Sequence, residues 1–320
     1  MKNIFCTLFD SGYMIRGISM YQSLVNTGTD FELYVFAFDD DACEYLKAME
    51  LPHLHVISLA EFENERLLAI KKTRTRGEYC WTCSCFSILH MLQHYDISEV
   101  TYLDSDLFFF DKPDILLEEL HNSEKDVLIT EHRYTPEYDQ TVASGKYCVQ
   151  FMTFKNNDNG LKVLNWWCDR CEEWCYNRIE DGKFGDQKYL DDWMTQFDCV
   201  HELQHTGGGV APWNVQQYDV KPGPAVNNKS VVFYHFHALK WLEPRKFDLS
   251  HYRLSDSVIE NIYYPYVDML KNMALLAGKK LGRSFPVRYN KQYDGVVEFA
   301  KHLKAVLGRK YRGEYNVISR

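Results

Sequence analysis

The sequence of 320 residues lacks any long apolar run. A membrane-spanning helix needs about 20 consecutive apolar residues, and no segment here approaches that length. The amino-terminal stretch, MKNIFCTLFDSGY, becomes polar too soon to serve as a secretion signal. These absences favour a soluble cytoplasmic protein, and a hydrophobic content of 46% is enough to fill a sizeable core.

Two further signatures are missing. The segment TGGGVAPWN (206–214) has no lysine after its glycines, so it does not match a phosphate-binding P-loop. The ten cysteines include CWTCSC (80–85) and CDRCEEWC (168–175), but paired knuckles with the spacing of a structural zinc site are absent. Because cytosolic cysteines stay reduced, we expect buried free thiols, with a structural zinc site as the alternative.

Positive charge is scarce in the body of the chain and concentrated at its end. Residues 271–320 contain 12 Lys and Arg against 3 Asp and Glu, whereas the whole chain carries a net charge of −9. Two stretches there, 263–285 and 296–315, have the apolar and basic faces of amphipathic helices. They predict peripheral contact with an anionic membrane, at its inner face, or with a phosphate-rich acceptor. Packing on the body, or dimerisation, is the alternative.

Strand-like and helix-like segments alternate along the chain, which predicts an α/β fold with a mostly parallel sheet and helices on both faces. The predicted strands are 3–9, 31–41, 53–59, 100–106, 126–134, 147–155 and 230–239, and the predicted helices are 16–28, 41–50, 79–95 and 161–179. Polar groups end three of the strands, at 9–11, 38–41 and 104–106. Ligands of such sheets collect beyond these carboxyl ends.

The stretch VTYLDSDLFFF (100–110) places two aspartates inside an apolar segment. In an extended chain Asp104 and Asp106 point to the same side, with Ser105 opposite. Unpaired carboxylates are costly to bury, and two of them repel each other. A divalent metal ion between them is therefore expected, with a solvated turn as the alternative.

This D-x-D after an apolar strand resembles the signature of GT-A glycosyltransferases. FYHFHALKW (233–241) resembles the H-F-x-G-x-x-K-P-W segment of the glycogenin-like and lipopolysaccharide galactosyltransferase families, with Ala238 in place of the glycine. GDQKYLDDW (185–193) resembles their D-Q-D element. GKYCVQFMTF (145–154) departs from them, since Cys148 and Gln150 replace an N-x-G pattern. The loop GGGVAPWN (207–214) looks like one in bacterial polysaccharide glycosyltransferases.

The resemblance implies a GT-A type Rossmann-like sheet in a catalytic domain over 1–265, followed by a basic helical extension over 266–320. It implies a metal-dependent hexosyltransferase that moves a sugar, with retention, from a UDP-sugar to a glycan or lipid-linked acceptor in surface polysaccharide assembly. The implied metal ligands are Asp104, Asp106 and His235. The imidazole of His235 favours Mn²⁺ over Mg²⁺, although His237 could be the ligand instead.

The other site residues follow from the same resemblance. Lys240 is placed on the diphosphate, and Asp104 on the metal or the ribose. Asp186 is placed on sugar or acceptor hydroxyls and Gln187 near the reacting carbon, while a helix cap is the plain alternative for Asp186. Residues predicted to contact the base and ribose are Thr7, Phe9, Tyr13 and Asp39.

Several questions stay open at this stage. An inverting enzyme needs a carboxylate base, and the candidates are Asp186, Glu131, Asp191 and Asp192. His132 and Arg133 could face the donor or serve the scaffold, and Trp213 could stack on a sugar or pack in the core. A nucleotidyltransferase is disfavoured because the first loop, FDSGYMIRG, has no glycine cluster. A glycan-binding protein without catalysis would have no use for a metal–diphosphate site.

Overall fold

A computed structural model describes residues 2–282, 289 and 296–320 of the chain. Its helices are α1 Met14–Thr27, α2 Asp40–Met49, α3 Leu59–Phe62, α4 Glu65–Lys71, α5 Arg76–His94, α6 Asp114–Asn122, α7 Thr141–Ser144, α8 Asp158–Glu173, α9 Trp193–Gln196, α10 Asp256–Val258, α11 Tyr264–Lys280 and α12 Val296–Arg312. Its strands are β1 Asn3–Phe9, β2 Phe31–Ala37, β3 Leu54–Ser58, β4 Glu99–Leu103, β5 Leu107–Phe109, β6 Val127–Glu131, β7 Tyr147–Lys155, β8 Val200–Glu202, β9 Ala225–Val226, β10 Lys229–Ser230, β11 Phe233–His235, β12 Lys240–Glu243, β13 Lys246–Asp248 and β14 Val317–Ser319.

Seven of these strands form one sheet in the order β3-β2-β1-β4-β7-β6-β8. The strands β3, β2, β1 and β4 are mutually parallel, and β7 runs antiparallel to both of its neighbours. The predicted α/β fold with a mostly parallel sheet is confirmed. Its parallel half places the carboxyl ends of β1, β2 and β4 at one edge.

Helices cover both faces of the sheet because the strands are apolar on both sides. On one face α1 and α11 pack in a core that includes Phe5, Leu33 and Phe151. On the other face α5 and α8 pack in a second core that includes Phe36 and Met152. Eight of the nine residues of β7 are buried, so helices and loops cover this strand on both faces of the sheet.

Local signals agree with the helix boundaries. The helix α5 begins at a capping box in which the Thr75 side chain accepts from Glu78 N–H and the Glu78 side chain accepts from Thr75 N–H. The helix α1 ends at Gly28, whose φ of 71° is left-handed and suits glycine.

The D-x-D segment is not extended, contrary to the prediction from its sequence. The strand β4 ends at Leu103, the residues Asp104 to Asp106 form a turn, and β5 begins at Leu107. The Leu107 N–H donates to the Asp104 carbonyl at 3.3 Å across that turn. Turn geometry, rather than strand alternation, therefore decides where the two carboxylates point.

The end of the chain returns to the body. The helix α11 packs in the first core through Tyr266, Leu270 and Ala277, so the predicted boundary at 265/266 falls in its first turn. The strand β14 adds to β13, and no strand was predicted there. Residues 283–288 and 290–295, which belong to the predicted extension, lie outside the described residues. No helix in the described part of the chain is both long and apolar enough to cross a membrane.

Candidate active site at the carboxyl edge of the sheet

Three side chains converge beyond the carboxyl end of β4. The Nε2 atom of His235 lies 3.1 Å from an Asp106 carboxylate oxygen and 3.9 Å from an Asp104 carboxylate oxygen. His235 reaches them because β11 pairs antiparallel with β5, which places His235 opposite Leu107. The Phe236 N–H donates to the Asp106 carbonyl at 3.0 Å and extends this pairing. The three residues assigned to the metal thus lie together, and their role stays a prediction.

Gln150 holds the opposite side of the His235 imidazole. The Nδ1 atom of His235 lies 2.8 Å from Gln150 Oε1. Because an amide oxygen only accepts, Nδ1 carries the proton in this arrangement and Nε2 faces the two carboxylates. Metal-ligating histidines are commonly oriented by such an outer partner. Gln150 is fully buried, and its Nε2 has no hydrogen-bond partner among the described residues.

Burial and mutual charge perturb the protonation of this group. Burial raises the pKa of Asp104, a rise that His235 opposes and Asp106 reinforces. Burial acts on Asp106 in the same way, but the charge and hydrogen bond of His235 outweigh it and lower the pKa of Asp106. Burial alone would lower the pKa of His235, yet the Asp106 carboxylate raises it above its ordinary value. The imidazole of His235 thus shares a proton with the two aspartates, and a metal cation could take the place of that proton.

A thiol completes the cluster. Ligand atoms of Asp104, Cys148 and His235 all lie within 4.8 Å of one another. The sulfur of Cys148 is within hydrogen-bonding reach of the His235 ring. The β4–β7 pairing brings it there, since Asp104 N–H donates to the Gln150 carbonyl at 3.0 Å. The Asp104 carboxylate, an imidazole nitrogen and a thiol form a donor set that fits a divalent transition metal ion, and the Asp106 carboxylate lies beside the imidazole.

Asp186 lies behind this cluster and does not cap a helix. It precedes a short 3₁₀ helix, but its side chain accepts no capping hydrogen bond. It is buried, and burial followed by the charge of Asp104 raises its pKa well above the ordinary value. Trp167 Nε1 donates to its carbonyl at 2.9 Å and fixes its backbone. The capping alternative therefore fails for Asp186.

Gln187 and Asp191 already have partners within the protein. The Gln187 amide donates to the Ser144 carbonyl at 2.6 Å. The carboxylate of Asp191 accepts from Lys146 N–H and pairs with Lys188, both at 2.7 Å. Asp191 is thus part of the scaffold, and Gln187 would have to leave its partner to reach a substrate.

The four predicted nucleotide contacts divide into two kinds. Thr7 is fully buried and its Oγ1 lacks a partner among the described residues, while the Phe9 ring packs closely against Gly17. Tyr13 is 46% exposed and carries the Arg16 guanidinium over its ring. Asp39 caps α2 and binds the Arg76 guanidinium at 2.7 Å. Tyr13 and Asp39 are therefore the two that a ligand can reach directly.

The loop after His235 keeps the backbone that its resemblance to H-F-x-G implies. Ala238 has a φ of 65°, a left-handed value that glycine adopts readily. Arg16 donates to the Leu239 carbonyl at 2.8 Å and ties the loop to α1. Lys240 is exposed at the start of β12. Arg16 also lies close enough to Asp106 to lower its pKa.

Two relatives by sequence and one solved structure show which known proteins the chain resembles. It is 31% identical over 279 residues to the uncharacterized protein YfnD of Bacillus subtilis (strain 168), which covers 83% of this chain and 88% of YfnD. It is also 31% identical over 252 residues to the uncharacterized protein YfnF of the same organism, covering 74% and 81%. This chain belongs to the family of YfnD and YfnF. No family model matches it.

Among solved structures, the fold of this YfnD relative is similar to that of the glycosyltransferase GlyE of Streptococcus pneumoniae TIGR4 in its apo form. The TM-score is 0.53 at 14% identity, covering 92% of this chain and 66% of the GlyE chain. At that identity the likeness extends to the fold alone. The predicted GT-A fold is thereby confirmed.

Arg133 and Trp213 belong to the scaffold of the site. Arg133 donates to the carbonyls of Leu203, His205 and Gly208 and so holds the loop that precedes β9. Trp213 is buried with its ring 5.2 Å from that of His235, which favours the packing alternative. His237 also lies beside Trp213, with ring centroids 5.6 Å apart.

Sequence reasoning missed Cys148, Gln150 and Arg16 as site residues. Cys148 and Gln150 were recognised only as departures from a family pattern. Their spacing of two on a strand next to the D-x-D turn was the available signal, because it puts both side chains on one face. Arg16 gave no signal beyond being the cation nearest the first strand end.

Proposed function

We propose that this protein is a glycosyltransferase that transfers a sugar from a UDP-sugar to a glycan or lipid-linked acceptor in surface polysaccharide assembly. The observation that carries the proposal is the convergence of Asp104, Asp106 and His235 at the carboxyl edge of a GT-A type sheet. A nucleotide-diphosphate donor needs such a cluster at the place where this fold binds ligands.

The cluster is suited to hold Mn²⁺, or Mg²⁺, against the diphosphate. A bound divalent ion stabilises the negative charge that develops on the leaving diphosphate. The residues of the chain hold that site in place: Gln150 orients His235, and the turn after β4 presents both aspartates. Arg16 and Lys240 would add positive charge at its rim.

The bond that breaks joins the anomeric carbon to a diphosphate oxygen. With retention, the departing diphosphate oxygen takes the proton of the acceptor hydroxyl while the new glycosidic bond forms on the same face. Asp186 would orient hydroxyl groups next to that carbon, and Gln187 would lie near it. Of the carboxylates that an inverting enzyme could use as a base, Asp191 is already engaged with Lys146 and Lys188.

Calorimetric titration with UDP, with and without Mn²⁺, tests the donor site. We expect binding by the wild type only with Mn²⁺, and none by Asp106→Ala. Asp198→Ala, which alters an exposed loop carboxylate, should bind UDP as the wild type does. If Asp106→Ala still bound UDP in a metal-dependent way, the cluster of Asp104, Asp106 and His235 would not be the donor site. A nucleotidyltransferase would instead bind a nucleoside triphosphate and a sugar phosphate.

A membrane contact is part of the proposal, at the inner face of the cell membrane. On α12 the side chains of Leu303, Leu307 and Tyr311 are 49%, 59% and 94% exposed. They recur every four residues and share one face of the helix. The exposed Lys301 and Lys304 lie on the same helix, which favours anionic lipid.

Sedimentation with anionic vesicles tests this contact. We expect the wild type to pellet with the vesicles and Leu307→Asp to remain largely in the supernatant. The matched control is Leu275→Asp, at a side chain that is 74% exposed on α11. Equal sedimentation of the two variants would show that the α12 face does not bind the membrane.

A further inference from the structure

The carboxyl edge of the sheet contains one group that the D-x-D and histidine pattern does not include, the thiol of Cys148. The strand β7 runs antiparallel to β4, with Phe151 opposite Leu103. Cys148 and Gln150 lie just beyond that pair and share one face of β7. The Gln150 side chain contacts His235 Nδ1 at 2.8 Å, so this face looks towards the imidazole.

The distances suit direct coordination. The ligand atoms of Asp104, Cys148 and His235 lie within 4.8 Å of one another. A metal ion binds sulfur at about 2.3 Å and nitrogen or oxygen at about 2.0–2.2 Å, so in a tetrahedral shell two of its ligand atoms are about 3.5 Å apart. Atoms that lie up to 4.8 Å apart reach a common ion when each moves inward by less than about 1 Å.

The surroundings point to a ligand for these groups. Gln150 is fully buried and accepts from His235 Nδ1–H, so Nε2 is the ring nitrogen that faces the carboxylates and would bind a metal ion once its proton is displaced. The other polar end of Gln150, Nε2, has no partner among the described residues. Cys148 is 4% exposed and packs with Ala211, Trp213 and Tyr252, outside the two main cores. The sulfur therefore has an apolar wall on one side and two possible metal ligands, Asp104 and His235, on the other.

We infer that the Cys148 sulfur is a ligand of the metal ion in this site, together with Asp104, Asp106 and His235, and that the site selects Zn²⁺ or Co²⁺ over Mg²⁺. The inference rests on the proposed metal-dependent donor site and adds a thiolate to it. Mg²⁺ takes oxygen ligands almost only, whereas Zn²⁺ and Co²⁺ accept sulfur, nitrogen and oxygen together. As the metal–sulfur bond forms, the thiol proton passes to solvent, so metal binding releases one proton from Cys148.

Cobalt titration of the whole protein, in a buffer with a non-thiol reductant and without oxygen, tests the inference. Co²⁺ bound by a thiolate gives a sulfur-to-metal charge-transfer band in the near ultraviolet, separate from the visible bands of any Co²⁺ site. We expect this band in the wild type and its loss in Cys148→Ser, with at least about tenfold weaker Co²⁺ binding. Released protons, measured with an indicator dye, should fall by one per Co²⁺ in that variant.

The matched control is Cys80→Ser. Cys80 is partly buried on α5, and its pKa is raised by burial and, after it, by the charge of Asp104, so its thiol lies near the same site. The band should persist in Cys80→Ser. Cys148→Ala, which introduces no hydroxyl, should lose the band as Cys148→Ser does, and its unfolding midpoint will show that both variants are folded.

The outcomes separate this inference from the proposed function. A band that survives in Cys148→Ser, a band lost in Cys80→Ser instead, or no Co²⁺ binding with or without UDP overturns the inference. Metal-dependent UDP binding without the charge-transfer band would support the proposed donor site but would show that Cys148 is not a metal ligand. A band that depends on Cys148, in a protein that binds no UDP with any metal ion, keeps the thiolate site and removes the proposed function.

Discussion

Thiols occur in two regions of this molecule, and their surroundings differ. Between α5 and α8, the sulfurs of Cys168 and Cys171 lie within hydrogen-bonding reach of Cys85, and all three are fully buried in the second core. At the carboxyl edge, Cys148 lies beside Asp104 and His235. The first region has the closely spaced cysteines that suggest metal binding from sequence, and the second has a single cysteine with no such spacing.

The comparison teaches that the spacing of cysteines along a helix does not by itself indicate a metal site. Ligands contributed by different strands of a sheet are the stronger indication. The i, i+3 spacing of Cys168 and Cys171 places both on the face of α8 that packs against α5, where free cysteine behaves as a small apolar side chain. Among the described residues, the group able to hold a metal ion contains Cys148 and none of the helix cysteines. Carboxylate and imidazole partners supplied by other strands distinguish the two regions.

The largest stability effect should come from the helix interface. Leu164→Ala removes a fully buried side chain of α8, and such truncations cost about 2–5 kcal/mol. Urea unfolding should show this loss, while the affinity for Co²⁺ is unchanged. The neighbouring Asn165→Ala, at an exposed position, should stay within about 0.5 kcal/mol of the wild type. If Leu164→Ala changed the affinity for Co²⁺, the helix interface and the candidate metal site would not be independent of each other.

Asp186→Asn should reduce activity without reducing stability. Turnover of a UDP-sugar should fall about 100-fold because the positioning of the hydroxyl groups is lost. Burial raises the pKa of Asp186, so the folded state favours its protonated form. That destabilises the metal-free wild type as the pH rises above about 4, the ordinary value for an aspartate. Relative to the wild type, Asp186→Asn should therefore gain stability between about pH 4 and pH 7. A constant difference across that range would contradict the assignment.

Gln150→Met tests the outer partner of His235. It keeps the volume of the side chain but removes the acceptor for Nδ1–H, and loss of such a partner weakens metal binding about 10- to 100-fold. Calorimetry with Mn²⁺ and UDP should show the loss, and Gln216→Met, which alters a glutamine of the scaffold loop, should show none. Equal affinities would mean that His235 needs no orientation from Gln150.

Cys171→Ser sharpens the comparison of the thiols directly. A hydroxyl in this apolar interface is expected to cost about 1–3 kcal/mol of folding free energy, without changing the cobalt spectrum. A loss of bound metal in Cys171→Ser would move the metal site to the helices and favour the structural zinc alternative.

The smallest effect concerns the loop next to His235. Ala238 has a left-handed backbone that costs a non-glycine residue about 1–2 kcal/mol, partly offset by the entropy that glycine loses on folding. Ala238→Gly should thus stabilise the protein by about 0.5–1 kcal/mol. Ala274→Gly, inside α11, should destabilise it by about 1 kcal/mol. A destabilised Ala238→Gly would contradict the strain assigned to this loop.

Much of the architecture followed from the sequence because its signals are local. Alternating apolar segments and polar strand ends located β1, β2 and β4 and the helices α1, α2 and α5, but not the short α3 and α4. The candidate site could be predicted only where residues are adjacent or where a family pattern exists, as for Asp104, Asp106 and His235, which the structure brings together. The role of Gln150 depends on its pairing with a strand 50 residues away and on a histidine 85 residues away. Such long-range pairings have no counterpart in residue spacing.

The turn at the D-x-D motif illustrates the same limit. The apolar flanks of Asp104 and Asp106 favour a continuous strand, but β5 leaves the main sheet to pair with β11. That separate pairing requires the chain to turn between Leu103 and Leu107. The partner strand lies more than a hundred residues later in the sequence, so the flanks alone could not reveal it.

The most direct test of the central claim is the release of UDP from UDP-sugars by the purified protein, with Mn²⁺, Zn²⁺ or chelator present. We predict metal-dependent release from one or a few UDP-sugars by the wild type and a loss of about 1,000-fold in Asp106→Ala, equivalent to about 4 kcal/mol of transition-state stabilisation. Release that continues in chelator, or at the same rate in Asp106→Ala, would contradict the assignment of this cluster as the catalytic centre.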